Sequence, residues 1–192
     1  MTILNSIRAG LWLGTLACIG GVAQAADAPL VTPLVDSDVT YRMTAPNGSV
    51  MHQRMRWSAR RWRQRLDIDG AATYMVSDYK THVMVVFDRT HQTATVSGSP
   101  SASFLAPGTP ADGVWRKTGS ALQVAGQNCT VWESEDTDRQ AADVCYTDDG
   151  LLLQATRGGV VMLTAQAVSR DAISDEIFAV PSGFRLVRQA PQ

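Results

Sequence analysis

The sequence predicts a mainly β protein: about eleven strands in one strongly curved antiparallel sheet, with little helix. Three observations carry this. Apolar and polar residues alternate with period two in short segments, and almost no stretch has helical period. Clusters of Gly, Pro, Asn and Asp bound those segments at tight-turn spacing, which implies antiparallel neighbours. A sheet of so many strands must curl to hide its edges and its apolar face.

The segments run in order. Val39 to Met43 is stopped by Pro46-Asn47-Gly48, and Val50 to Trp57, Arg61 to Ile68 and Ala72 to Ser77 follow. Val83 to Phe87 and Gln92 to Val96 bend at Asp88-Arg89. Residues 97–113, with three prolines and three glycines, read as a long loop between two half-sheets, and Phe104-Leu105 is its only sticky part. Strands resume at Ala121 to Val124, Cys129 to Glu133 and Ala142 to Thr147. Asp148-Asp149-Gly150 then turns into Leu151 to Thr156, and Gly158-Gly159 into Val160 to Val168, glycine supplying the positive φ of such turns. A short helix is expected near Asp171 to Glu176, and Phe178 to Phe184 reads as a turn into a closing strand.

The chain has 192 residues, 45% of them hydrophobic and 18% charged, which excludes a disordered chain and allows one domain with a substantial core. A formal net charge of −1 argues against nucleic acid as a partner. Residues 1–25 read as a signal peptide: Arg8, an apolar run from Leu11 to Val22, then Ala23-Gln24-Ala25 as the cleavage pattern. The run is shorter than the roughly 20 residues of a membrane span. Residues 26–192 then form a single exported, periplasmic domain. Ala17-Cys18 offers a second reading, a lipoprotein anchor, against Thr15, which stands where such sites carry Leu.

Between Val39 and Leu66 lie seven arginines and no acid. Alternation places Arg54 and Arg56 on one face and Arg61, Arg63 and Arg65 on the matching face of the next strand, in a hairpin turning at Ser58-Ala59-Arg60. These five form either a solvated outer face or an anion patch for lipid phosphates or an acidic partner, since guanidinium binds phosphate bidentately. On the other face, Met51, Met55, Trp57, Trp62, Leu66, Met75 and Met84 are the expected interior. They are either plain core or the lining of a site for an apolar ligand.

Cys129 and Cys145 are an even pair after the leader and read as a disulfide. With Asp136-Thr137-Asp138 as apex they would sit directly opposite each other, and the bond would be worth about 3 kcal/mol. Seven acids between Glu133 and Asp149 lack calcium-loop spacing and imply no metal site. His52, His82 and His91 stand in no metal or triad pattern, and no nucleophile elbow or phosphate loop exists. No cofactor is implied, and a hydrolase is the least supported class.

Several segments resemble an exported bacterial family, that of domain of unknown function 4412, over nearly all of residues 34–187. They are Val39-Thr40-Tyr41-Arg42, Asp78-Tyr79-Lys80-Thr81, Cys129-Thr130-Val131-Trp132, Cys145-Tyr146-Thr147-Asp148-Asp149-Gly150 and Phe178 to Phe184. That family is similar to the periplasmic lipoprotein carriers LolA and LolB. The resemblance implies a LolA-like incomplete barrel over an apolar cavity and a place in the envelope, and it carries over no catalytic residue. The chain departs from those carriers in having few helical segments to form a lid. The leading functional expectation is a non-catalytic binding module for an apolar or lipid-like ligand. The alternative is an envelope interaction or stress-sensing protein that docks a protein partner or an anionic membrane surface, with no ligand cavity.

Overall fold

The computed structural model describes residues 28–98, 104–135 and 140–188. The expected leader with Cys18, and the hairpin apex 136–138, lie outside the described residues. Twelve strands form one open sheet: β1 Ser37–Thr44, β2 Val50–Ser58, β3 Arg63–Ile68, β4 Thr73–Asp78, β5 Val83–Asp88, β6 Thr93–Gly98, β7 Arg116–Val124, β8 Gln127–Glu135, β9 Ala141–Tyr146, β10 Leu152–Arg157, β11 Val160–Ser169 and β12 Arg185–Arg188. Their spatial order is β12-β6-β5-β4-β3-β2-β1-β11-β10-β9-β8-β7. Two meanders, β1 to β6 and β7 to β11, therefore stand side by side, joined where β1 pairs antiparallel with β11. The sheet is mainly antiparallel, curved and not closed.

Turn chemistry fixes the register. The β7–β8 and β10–β11 hairpins close through Ala125-Gly126 and Gly158-Gly159, each with positive φ at both residues, the geometry that matches strand twist in a two-residue loop. The β2–β3, β4–β5 and β5–β6 connections are four-residue turns whose last residues, Trp62, His82 and Gln92, take φ of 55°, 55° and 47°. Asp78 accepts from the backbone N–H of Lys80 and Thr81, and Asp88 from Thr90 and His91, which sets two of these turns.

Three expectations are corrected. Arg61 and Trp62 belong to the β2–β3 turn rather than to the strand, which begins at Arg63, so alternation does not orient them. The closing strand is a twelfth one and pairs parallel to β6, Arg185 opposite Thr93 through Arg188 opposite Val96. After β11 the chain crosses the sheet to reach β6, and a crossover of this kind returns a strand in the parallel sense. Cys145 lies opposite Val131, not Cys129. The disulfide nonetheless forms, on the diagonal, with the Cα atoms 5.4 Å apart.

A core lies on each face of the sheet. Val39, Tyr41, Met55 and Trp57 of the concave side form one core with Leu151, Leu153 and the disulfide. On the convex side of the β3–β6 wing, Tyr74, Val76, Phe87 and Ala94 form a second core beneath Phe178, Ile173, Ile177 and Phe184. Phe178 sits in a short 3-10 helix, Asp175–Phe178, capped by the Ser174 hydroxyl. The helix expected at Asp171 to Glu176 is this one, set a few residues later.

Candidate functional site

A cavity of about 320 Å³ lies on the concave side. Its floor comes from one face of neighbouring strands, because directly paired residues share a face: Tyr41 opposite Gln53, Met55 opposite Leu66, and Trp57 opposite Gln64. Leu163 on β11 and Leu151 and Leu152 at the start of β10 close one side, and Tyr79 closes the other.

Two irregular segments form the roof. Residues 28–36 run against residues 104–111, with Leu30 bridged to Pro110, Ala111 N–H donating to the Pro29 carbonyl, and Thr32 Oγ1 donating to the Leu105 carbonyl at 2.7 Å. Trp57 Nε1 donates to the Pro33 carbonyl at 2.8 Å, and Leu34 N–H donates to the Asp149 carbonyl, fastening the roof to floor and side wall. Gly150 makes this approach feasible: a Cβ there would stand 2.7 Å from the Thr32 carbonyl oxygen, and its φ is +92°. Phe104 drops from the roof onto Tyr79, the rings stacked with centroids 4.1 Å apart, and lies 5.8 Å from Trp62.

The cavity lining contains no ionisable side chain other than tyrosine among the described residues. Burial pushes the Tyr41 hydroxyl well above the ordinary phenol range, and that hydroxyl donates to the Leu152 carbonyl at 2.7 Å. Burial also raises the Tyr79 hydroxyl, which donates to Gln64 Oε1 at 2.8 Å. Both phenols are neutral hydrogen-bonding groups at physiological pH.

Of the seven residues expected inside, Met55, Trp57 and Leu66 line the cavity. Trp62 borders it through Phe104. Register puts Met75 and Met84 on the same face, half-buried farther along β4 and β5 and away from the cavity. Met51 is 41% exposed at the far end of β2 and is not interior. Tyr41, Gln53, Gln64, Tyr79 and the segment 31–33 are additions. Parity alone points to the two glutamines, since Gln53 stands two residues before Met55 on β2 and Gln64 two before Leu66 on β3.

The arginines lie on the convex side, and every one of the five meets an aspartate. Arg54 donates to Asp38 at 2.8 and 2.6 Å, Arg63 to Asp78 at 2.8 Å, and Arg56 and Arg65 both to Asp67. Arg61 reaches Asp175 at 2.7 Å, beside Arg60, and Arg65 also donates to the Ile177 carbonyl at 2.9 Å. The arginine face is thus where the segment after β11 is fastened. Among the described residues no group of three or more His, Cys, Asp and Glu is placed to hold a metal ion. His82 and His91 occupy turns at opposite ends of β5. A second hollow, about 590 Å³, opens at the β7 edge between Trp115, Arg116 and Glu133, and Arg116 and Glu133 are ion-paired.

No family model matches the chain, and no curated protein matches it. Among solved structures the fold is similar to that of an uncharacterized conserved protein from Thermus thermophilus, with TM-score 0.57 and 10% identity over 81% of this chain and 91% of that one. It is also similar to PNGF-II, with TM-score 0.50 and 15% identity over 81% of this chain but 31% of PNGF-II. At such identities the likeness is one of fold alone.

Proposed function

We propose that this is an exported, periplasmic, non-catalytic binding module that holds an apolar or lipid-like ligand in the concave cavity. The observation that carries this reading is the cavity itself. Its volume of about 320 Å³ falls in the range of small-molecule sites, its walls are largely apolar and aromatic, and a few amide and hydroxyl groups converge on it. A plain core would close such a space, because interiors pack to crystal-like density. The Cys129–Cys145 disulfide is consistent with an oxidising compartment. The open curved sheet with an apolar concave side supports the proposed kinship with LolA-like carriers. The roof is built from extended segments rather than helices.

Native mass spectrometry of protein purified from its own periplasm, followed by titration with a fluorescent fatty acid, tests this reading. A co-purifying lipid, or saturable probe binding, is expected. Leu66→Trp, which fills the cavity floor, should lower probe affinity at least about tenfold while the protein stays folded. Protein that is empty and takes no probe would sink the proposal. It would favour the alternative of a protein-docking module, for which the supporting feature is β7, an edge strand with no further strand beside it among the described residues, since an exposed strand edge accepts an added strand.

A further inference from the structure

We infer that the cavity selects ligands that are uncharged at their polar end: an apolar body carrying an amide, ester or alcohol, discriminated from the free carboxylate or ammonium of the same body. The inference rests on the binding-module reading above and specifies its ligand class.

The first argument is the sign of the lining. Among the described residues no Asp, Glu, Lys, Arg or His lines the cavity. Strand alternation explains why. The charged residues of β2 and β3, Arg54, Arg56, Arg63, Arg65 and Asp67, occupy the opposite face and are engaged with one another or with Asp38 and Asp78. A carboxylate drawn into this cavity would leave water without meeting a counter-charge, and nothing in the lining offsets that loss of hydration. A neutral amide or hydroxyl gives up far less hydration and needs only hydrogen-bond partners.

The second argument is which polar atoms remain unused. Thr32, Tyr41 and Tyr79 each donate to a protein oxygen. Gln64 has its Oε1 occupied by Tyr79, which leaves both Nε2 hydrogens to donate. Gln53 has no side-chain partner among the described residues. The two glutamines flank the apolar pair Met55 and Leu66, one beside Tyr41 and the other beside Trp57. A primary amide offers both a donor and an acceptor, so Gln53 matches an amide, ester or hydroxyl end without change of protonation. The free amide atoms of Gln53 and Gln64 are not fully buried, so water meets them in the empty protein, and a neutral polar group on the ligand takes water's place without a change of charge.

The test is isothermal titration of the whole protein at neutral pH with dodecanamide, kept below its solubility limit, and with dodecanoate, kept below its micelle concentration. Dodecanamide should bind at least about tenfold more tightly. Equal affinity, or tighter binding of dodecanoate, overturns this inference and leaves the apolar-site reading standing. Failure of both to bind overturns both. Gln53→Lys places an ammonium beside the same floor and should shift the preference toward dodecanoate by about tenfold or more. An unchanged preference in that folded variant overturns the role given to Gln53. Gln53→Leu serves as the second variant and should weaken dodecanamide several-fold, and retention of full dodecanamide affinity there counts against the inference equally.

Discussion

Asp67 is the centre of the convex charge network. It receives Arg56 at 2.6 Å, Arg65 at 2.9 Å and Arg89 at 2.6 Å, while Arg65 and Arg89 also lie over the Tyr74 ring at 3.8 and 4.6 Å. Burial pushes the Asp67 carboxyl up, but the hydrogen bonds from Arg65 and Arg56 outweigh it and hold it down at about 2. An unfolded aspartate titrates near about 3.9. The unfolded chain therefore binds the proton first as pH falls. The stabilisation is present above pH ~4 and is lost as pH drops through ~2. After solvent screening its size is on the order of 1–2 kcal/mol. Urea unfolding of wild type and Asp67→Asn should show the variant weaker at pH 7, with the difference shrinking toward pH 2. A constant difference would refute the pairing. The partners of the arginines were hidden for a simple reason. The acid-free run ends at Leu66, and Asp38 and Asp67 stand just outside it, brought in by strand pairing. Gly150 is the other residue with a single decisive role. Gly150→Ala combines a left-handed backbone with a Cβ against the Thr32 carbonyl, and should cost about 2–3 kcal/mol in thermal or denaturant unfolding.

Among the elements, the strap from Ile173 to Phe184 does the least expected work. It leaves β11 at the middle of the sheet, crosses the convex face of the β3–β6 wing, and ends as β12 on the far edge. Asp36 accepts from the Ile173 N–H, Asp175 takes Arg60 and Arg61, and Phe178 is 6% exposed over Tyr74, Val76 and Phe87. Phe178→Ala should cost about 3 kcal/mol, as for other buried phenylalanines. Amide hydrogen exchange should then show β12 and the facing edge of β6 losing protection ahead of β1 and β11. Uniform loss across the sheet would refute the strap's local role. Most strands were legible to within one or two residues, β1 to β3 from period-two alternation and β5, apolar on both faces, from the turn residues that bound it. Arg61 and Trp62 were not, because a left-handed turn residue can be Trp as well as Gly when the hairpin around it offsets the strain.

The molecule as a whole is one continuous sheet with two cores on opposite faces, and β1–β11 is the seam between its meanders. Because the seam strands carry Val39, Tyr41 and Ala165 of the concave core, the two halves share buried surface. Unfolding should accordingly be cooperative: tryptophan fluorescence and far-ultraviolet circular dichroism should give coincident denaturant midpoints. Separate midpoints would show that the β3–β6 wing, with its own convex core, comes apart as an independent unit.

Alternation and turn residues in the sequence by themselves determined the β class, nearly every strand and the split of Arg from Met and Trp across β2, while the cysteine count implied the pairing of Cys129 with Cys145. The first three are local or period-two properties, encoded within a few residues of one another. The tertiary structure decided the rest. Closing β1 onto β11 curves the sheet. Laying residues 28–36 and 104–111 over that curve encloses the cavity, and crossing the strap behind it brings Asp175 to Arg60 and Arg61. Those outcomes depend on contacts between segments up to more than a hundred residues apart, such as Arg65 with Ile177 and Tyr41 with Leu152. No local pattern fixes which distant backbone will arrive there.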